Sequence, residues 1–255
     1  MMTKTRHSLL PGSIFFAILI TSFLGLIASR MDFVSIKKDE LHTEIRNYIL
    51  ENPEIVFEAV AIIRQREAYE EDERDKRLVE THREELYNDG LSYVGGNPDG
   101  DITLVEFLDY RCGYCRKAYK EVEALLKEDG KIRFVIKEFP ILGDNSTTSA
   151  QFAIAVKQLH GMESYKAIHD TLIAFTGDPT RQVLVEIASA FGFDPIPIIE
   201  RMTTDDVMQE INLNRALGQK MQISGTPTFV LGDQLLRGYL PLDEMLEMIK
   251  AQRGQ

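Results

Sequence analysis

The chain has 255 residues, a formal net charge of −11 and only two cysteines. A hydrophobic fraction of 44% beside 27% charged residues indicates a folded protein rather than a disordered one. The charge argues against nucleic acid as a partner, because no run of Lys and Arg stands free of acids to bind phosphates. Two cysteines exclude a disulfide-dense scaffold. The charge changes along the chain and predicts three segments.

Residues 1–30 are predicted to direct export. They carry three Lys and Arg side chains and no acidic one, and Ile14 to Ala28 is almost wholly apolar. A basic region followed by such a run is typical of a secretory signal. The apolar run can also be counted over residues 9–29, which is long enough for an uncleaved membrane anchor, and both alternatives stay open. In either case the basic end stays in the cytoplasm and the rest of the chain lies outside it.

The second segment, residues 31–90, is acidic and rich in helix formers. The triplet Asn52-Pro53-Glu54 predicts that one helix ends near Leu50 and that another begins at Pro53 with Asn52 as its N-cap. Each helix carries an apolar stripe, formed by Leu41, Ile45, Tyr48 and Ile49 and by Ile55, Val56, Ala59, Val60, Ile62 and Ile63. Beyond Arg64 the apolar pattern thins, which is typical of a solvated linker helix or of the arm of an oligomerisation stalk.

The third segment, residues 91–255, opens with a turn region at Gly95–Gly100. A β-α-β pattern follows, with a strand over Ile102–Leu108, a helix over Arg116–Lys127 and a strand over Lys131–Phe139. The first strand is apolar on both faces except for one glutamate, as expected at the centre of a sheet. This pattern predicts an α/β domain.

The motif Cys112-Gly113-Tyr114-Cys115 lies at the first strand-to-helix turn. The thiolate is the reactive form of cysteine, and the N–H groups and dipole at a helix N-terminus stabilise it. Cys112 is therefore predicted to be the exposed, reactive thiol. Cys115 is predicted to be the buried thiol that attacks a mixed disulfide formed at Cys112. A purely structural disulfide is disfavoured, because closing so short a loop removes little chain entropy.

A zinc site is also disfavoured, because the chain has no second cysteine pair and its five histidines lack ligand spacing. We therefore expect no bound metal and no cofactor. After a long helical stretch over residues 144–222, the chain predicts two more strands around a hairpin turn at Gly232-Asp233, and a last helix from Pro241.

The cysteine motif after a Glu-Phe-Leu-Asp-Tyr strand, with Gly225-Thr226-Pro227-Thr228 more than a hundred residues later, resembles the DsbA family. The resemblance covers roughly residues 95–249. It implies an α/β thioredoxin fold with an inserted helical domain over residues 144–222, preceded by the N-terminal helical extension. It also implies that Pro227 is cis and faces the cysteines, and that Thr226 presents its backbone to a substrate.

Members of this family often keep a buried acid where Glu106 stands, six residues before Cys112. A carboxylate inside a sheet is unfavourable unless it is paired or relays protons. Glu106 is therefore predicted to accept the proton of Cys115, with Lys137 on the neighbouring strand as its candidate partner. The alternative is a glutamate paired at the protein surface.

The Gly-Tyr dipeptide departs from the Pro-His of DsbA itself, and the acidic extension is similar to that of ScsC and Com1-type exported proteins. The resemblance implies a periplasmic thiol-disulfide oxidoreductase that forms or isomerises disulfides, works as a homo-oligomer and exchanges electrons with a membrane redox partner of the Dsb type. Its substrates would be unfolded or misoxidised exported proteins, in contact with Gly113, Tyr114 and Thr226. The competing hypothesis is an oligomeric holdase or a Cu(I)-binding protein that uses the same cysteine pair.

Overall fold

The computed structural model describes residues 37–254, so the predicted signal or anchor at residues 1–30 lies outside the described part of the chain. The described residues form two compact units, one ending at Arg64 and the other beginning at Gln65. Between residues 37 and 254 no helix is long and apolar enough to cross a membrane.

The first unit consists of helix α1 (Lys38–Glu51) and the first part of helix α2 (Glu54–Thr81). The break between the helices falls where the sequence predicted it, but Asn52 has a different role. Its side-chain amide donates to the carbonyl of Tyr48 at 2.8 Å, so it closes α1 rather than capping α2. Large apolar side chains of this unit are exposed to solvent: Leu41, Ile45, Tyr48, Ile49, Leu50, Val56, Phe57, Val60, Ile62 and Ile63.

The second unit begins within α2, whose last turns pack on the domain together with the short helix α3 (Arg83–Tyr87). The apolar side chains Val79, Leu86 and Tyr87 are buried there. The expectation of a solvated linker is therefore wrong for the end of α2. The thin apolar pattern misled because two apolar side chains near its end, Leu78 and Val79, are enough to pack these turns on the domain. The packing boundary falls after Arg64 rather than at residue 90.

A five-stranded sheet in the order β1-β3-β2-β4-β5 forms the centre of the second unit. Strands β2 and β3 run parallel and the other neighbours run antiparallel. The strands are β1 (Tyr93–Gly96), β2 (Ile102–Leu108), β3 (Ile132–Glu138), β4 (Thr228–Leu231) and β5 (Gln234–Arg237). The central place of β2 matches the prediction, whereas β1 was missed because half of its residues are glycines and the segment was predicted as a turn.

Six helices complete the second unit: α4 (Gly113–Asp129), α5 (Asp144–Ala174), α6 (Arg181–Ala190), α7 (Pro195–Arg201), α8 (Asp205–Lys220) and α9 (Leu242–Gln252). Helices α5 to α8 form the predicted helical insertion. Helix α5 is broken at Gly161, where φ is +86°. It therefore consists of two helices, as the sequence pattern predicted. Helix α4 begins directly after Cys112, earlier than predicted, and this start places the cysteine motif at its N-terminus.

The two faces of the sheet are covered by different elements. Apolar side chains of α4, α5 and α9 pack on one face, and those of α2, α3 and the end of α8 pack on the other. On this second face the side chain of Lys137 is fully buried and donates to the Asp89 carboxylate at 2.6 Å and the Glu85 carbonyl at 2.7 Å. Both acceptors precede β1, so the segment before β1 is part of the domain.

A chain that begins at Leu91 is expected to be far less stable than a chain that begins at Gln65. It lacks three buried apolar side chains of α2 and α3, each of which contributes about 1.5–3 kcal/mol. The buried amine of Lys137 would also lose both of its acceptors, which adds a desolvation penalty. Denaturant unfolding of both chains measures the difference in free energy of unfolding, and equal values would contradict the packing of these helices.

Candidate active site

The two cysteines lie at the N-terminus of α4, where Cys112 is the N-cap and Cys115 is in the first turn. Both are free thiols. Cys112 keeps 8% of its surface accessible and Cys115 keeps none, so the predicted order of exposure is right, although Cys112 is more covered than expected. Between them, Gly113 has open space where a Cβ would stand, and the Tyr114 side chain is 65% exposed. The sulfur of Cys112 can thus be approached past these two residues.

The loop before β4 faces the first cysteine. The peptide bond between Thr226 and Pro227 is cis, as the resemblance implied. The Sγ of Cys112 lies 3.1 Å from the Thr226 carbonyl oxygen, which accepts a hydrogen bond from the sulfur when it is protonated. The backbone N–H of Gly238, the residue directly after the strand β5, donates to the Pro227 carbonyl at 2.9 Å and holds this loop in place. The structure therefore brings together residues that are more than a hundred positions apart in the chain.

The environment of Cys112 favours its thiolate. A hydrogen bond from the Cys115 thiol, the side chain of Thr226 and the backbone N–H groups of Cys115 and Tyr114 together lower the pKa of the Cys112 thiol to about 5, against the opposing effect of burial. The two backbone N–H groups are unpaired groups of the α4 N-terminus, which stabilise an anion. Cys112 is therefore the cysteine of the pair that forms a thiolate more readily.

The environment of Cys115 favours its thiol. Burial raises the pKa of Cys115 far above its ordinary value, and its hydrogen bond to Cys112 and the nearby charge of Glu106 raise it further. Two cysteines three residues apart thus have opposite protonation preferences. This difference allows Cys112 to act as the nucleophile while Cys115 stays protonated.

Glu106 lies in β2 and is only 4% exposed, so a surface-paired glutamate is excluded. Burial, and then the negative charges of Cys112, Glu123 and Glu138, raise the pKa of Glu106 to about 8. The predicted partner was wrong. Successive strand residues point to opposite faces, and the register pairs Phe107 with Lys137. Lys137 therefore contacts Asp89 on the opposite face of the sheet from Glu106.

Asp109 organises the active-site turn, a role that was not predicted from the sequence. Its carboxylate accepts the backbone N–H of Arg111 at 2.8 Å, and those of Ile141 and Leu142 at 2.8 and 3.0 Å. It therefore ties the turn before Cys112 to the loop after β3. The parallel pairing of β2 and β3 was a usable signal, because parallel strands end at the same edge of a sheet.

Glu138, the last residue of β3, was also not predicted as a site residue, and its carboxyl group accepts hydrogen bonds from the hydroxyls of Tyr110 and Tyr165. A charged residue at a strand end, two residues before a proline, is usually exposed, whereas this one is 1% exposed. As for metal sites, residues 37–254 contain no group of three His, Cys, Asp or Glu side chains that could hold an ion.

The fold and the site together define a thioredoxin-fold protein with a dithiol site. The defining features are a sheet with a parallel centre, a cysteine pair at a helix N-terminus and a cis-proline that faces the pair. Residues 103–250 match the DSBA-like thioredoxin domain, and the chain belongs to this family of thiol-disulfide oxidoreductases. Residues 38–70 match the copper resistance protein ScsC N-terminal domain. The predicted resemblance to the DsbA family and to ScsC, and the predicted fold class, are therefore confirmed.

Solved structures and curated proteins agree with this assignment. The chain is 36% identical to a thioredoxin-like oxidoreductase from Silicibacter pomeroyi, with a TM-score of 0.63 over 68% of this chain and 98% of that one. The catalytic domain of Proteus mirabilis ScsC is 25% identical, with a TM-score of 0.64 over 71% of this chain and 99% of that domain. Disulfide bond formation protein D of Bacillus subtilis is 24% identical over 62% of this chain and 75% of its own length.

In the reduced protein, Cys112 is expected to be alkylated much faster than Cys115 at pH 7. A thiol with a pKa of about 5 is ionised at that pH, whereas burial keeps Cys115 protonated and covered. The rate at Cys112 should rise between about pH 4 and about pH 6 and then level off. Timed iodoacetamide labelling followed by peptide mass spectrometry measures both rates, and similar rates at the two cysteines would contradict the assigned environments.

Proposed function

We propose that this chain is an exported, periplasmic thiol-disulfide oxidoreductase that forms or isomerises disulfide bonds in other exported proteins. The observation that carries the proposal is the pair of unlike thiols, with the Cys112 sulfur 3.1 Å from the Thr226 carbonyl and Cys115 buried behind it. Membership of the DSBA-like family supports the chemistry. The basic and apolar residues 1–30 support export.

In the forming direction the cysteine pair starts as a disulfide. A substrate thiolate attacks the Sγ of Cys112, the bond to Cys115 breaks, and the Cys115 sulfur leaves with the electron pair and takes up a proton. A second substrate thiolate then attacks the substrate sulfur of this mixed disulfide, and Cys112 leaves as a thiolate. The substrate gains one disulfide and loses two electrons, which the cysteine pair gains. A membrane redox partner of the Dsb type would remove those electrons.

In the isomerising direction no net oxidant is needed. The Cys112 thiolate attacks a wrong disulfide of the substrate and releases one substrate thiolate. Another substrate thiolate then attacks the substrate sulfur of this mixed disulfide, so that a new substrate disulfide forms and Cys112 leaves as a thiolate. The same two sulfurs serve both directions, and the stability of the reduced pair biases the choice between them.

The ionisation of Cys112 stabilises the reduced state. Its pKa is about 5 in the fold against an ordinary value of 9.0. Because the folded pKa is the lower one, this stabilisation is complete above about pH 9 and is lost as the pH falls towards about 5. A pair whose reduced state is stabilised is the stronger oxidant. The lowered pKa of Cys112 therefore favours disulfide formation over disulfide reduction.

We assign supporting roles to the residues around the pair. Glu106, with a pKa of about 8, exchanges protons near neutral pH and would take the proton of Cys115 when that sulfur attacks a mixed disulfide. Tyr114 is exposed beside Cys112 and would contact a substrate, with Gly113 leaving room for its backbone. Thr226 would offer its backbone to an extended substrate segment, with Pro227 keeping the loop opposite the sulfur.

Replacing the cysteines one at a time tests the chemistry. The variant Cys112→Ser should lose turnover of a reduced model substrate protein, because no nucleophile remains at the accessible position. Cys115→Ser should instead accumulate mixed disulfides, because the resolving thiol is gone. Non-reducing electrophoresis and a thiol-oxidation assay measure both effects. In the same assay Glu106→Gln should slow release of the mixed disulfide without changing the folded state.

The competing functions predict different results for these variants. A holdase would keep binding unfolded clients after Cys112→Ser. A Cu(I) protein would lose metal binding with either cysteine, because soft thiolates hold that ion. Full disulfide turnover in Cys112→Ser would refute the oxidoreductase proposal.

We further propose that the first unit assembles copies of this chain into a homo-oligomer. Leu41, Ile45 and Ile49 stand four residues apart, so they lie along one face of α1, and all three are exposed. Apolar side chains continue along α2 to Ile63. Burying each large side chain in a second copy would contribute about 1.5–3 kcal/mol, which can exceed the entropy lost on association. The match to the ScsC N-terminal domain covers these residues.

The chain from Asp32 is expected to be a homo-oligomer with scrambled-disulfide isomerase activity, because neighbouring sites can act on one client. The chain from Gln65, which keeps its packed helices, should be a monomer that oxidises dithiols but isomerises poorly. Light scattering and refolding of a scrambled substrate measure the two properties.

The variant Ile45→Glu should dissociate the assembly, whereas Glu44→Gln, at the neighbouring exposed residue, should not. If the chain that begins at Asp32 is a monomer at micromolar concentration, the proposal is wrong.

A further inference from the structure

A second buried carboxyl group lies near the cysteines and has no part in the mechanism above. Glu138 is 1% exposed, and its Oε1 accepts the hydroxyl of Tyr110 at 2.7 Å and that of Tyr165 at 2.6 Å. Its Oε2 is also buried and has no hydrogen-bond partner among the described residues. Buried polar groups are usually paired, so a carboxyl group kept in this position indicates a role beyond packing.

The two tyrosines come from different parts of the domain. Tyr110 belongs to the turn between β2 and α4, two residues before Cys112. Tyr165 belongs to the second half of α5, in the helical insertion. One turn further along α5, the Nδ1 of His169 lies 3.2 Å from the Tyr110 hydroxyl. Since that hydroxyl donates to Glu138, the neutral imidazole serves as the donor to Tyr110.

The backbone of Tyr110 is held as firmly as its side chain. The guanidinium of Arg116 in α4 donates to the Tyr110 carbonyl at 3.0 Å and to the Phe175 carbonyl, after α5, at 3.2 Å. The N–H of Cys112 donates to the carbonyl of Asp109 at 3.0 Å. Tyr110 therefore links the turn that carries the reactive sulfur to α4, to β3 and to the helical insertion, in addition to the bonds that Asp109 and Arg111 make from the same turn.

We propose that Glu138 is a positioning residue for the Cys112 thiol, acting through the Tyr110 hydroxyl, and that His169 of the helical insertion completes this clamp. The inference deepens the proposed function, because it takes Cys112 as the reacting thiol. Without the clamp the turn relaxes, and the sulfur moves away from the N–H groups of α4 that stabilise its thiolate.

The charges around Glu138 are compatible with a neutral carboxyl group that accepts hydrogen bonds. Burial raises the pKa of Glu138 to about 8, and the two tyrosine hydroxyls oppose this effect. The charged groups facing it are the ion pair of Lys157 in α5 with Glu210 in α8, and Glu106 in β2. A glutamine at this position would keep the acceptor oxygen without any charge.

The chain offers a matched pair of variants. Tyr110→Phe and Tyr165→Phe each remove one buried hydroxyl from the same oxygen of Glu138, but only Tyr110 belongs to the active-site turn. The pH profile of iodoacetamide alkylation at Cys112 is measured in the full chain, with thermal unfolding as the control for folding. We expect Tyr110→Phe to shift the profile to higher pH, with a rate that falls about tenfold at low pH for each pKa unit. Tyr165→Phe should keep the wild-type profile although it lowers thermal stability.

Variants of the acid distinguish the hydrogen bond from the charge. Glu138→Gln should keep the wild-type profile, because its amide oxygen still accepts from Tyr110, whereas Glu138→Leu should behave like Tyr110→Phe. A folded Tyr110→Phe protein with a wild-type profile would overturn the proposal. An equal shift in Tyr165→Phe would also overturn it, because the effect would then come from general loosening. Alkylation requires no substrate protein, so a wild-type chain without disulfide turnover would count against the proposed function and not against the clamp.

Discussion

The parallel pairing of β2 with β3 is the constraint on which the site depends. Two parallel strands end at the same edge of a sheet, so the turn after β2 and the loop after β3 meet there. Asp109 bonds the two segments directly, through the N–H groups of Ile141 and Leu142. Glu138 reaches Tyr110 for the same reason. The position of Cys112 therefore follows from strand pairing more than from its own neighbours in the chain.

Within this frame, two identical side chains acquire opposite chemistry. Cys112 stands at the N-terminus of α4, where N–H groups and the Cys115 thiol donate towards its sulfur. Cys115 is one turn further along the helix, where it contacts no solvent and faces the charge of Glu106. A helix N-terminus stabilises an anion only near its end, and burial destabilises one further inside. A displacement of one helical turn is enough to give the two thiols opposite protonation preferences.

The helices before the sheet show how little apolar surface a docked helix needs. The last turns of α2 are rich in charged residues, yet Val79 is buried and Asp75 forms a two-pronged ion pair with Arg237, one contact measuring 3.0 Å. In the first unit, by contrast, the large apolar side chains are exposed to solvent. The same helix thus has a part that packs within the catalytic domain and a part whose apolar face remains accessible.

The sequence alone was sufficient for the fold class, the central strand, the cysteine pair and the helical insertion, because periodicity and the spacing of the cysteines are local properties. It was also sufficient for the resemblance that implied a cis bond before Pro227. The strand β1 was missed because its glycines hide the strand pattern. Glu106 was paired with Lys137 because the sequence does not give the register of β2 and β3, and the register places these two side chains on opposite faces of the sheet. Only the tertiary structure decided that Glu138 and His169 meet at Tyr110, because burial of a charged residue depends on elements distant in the chain.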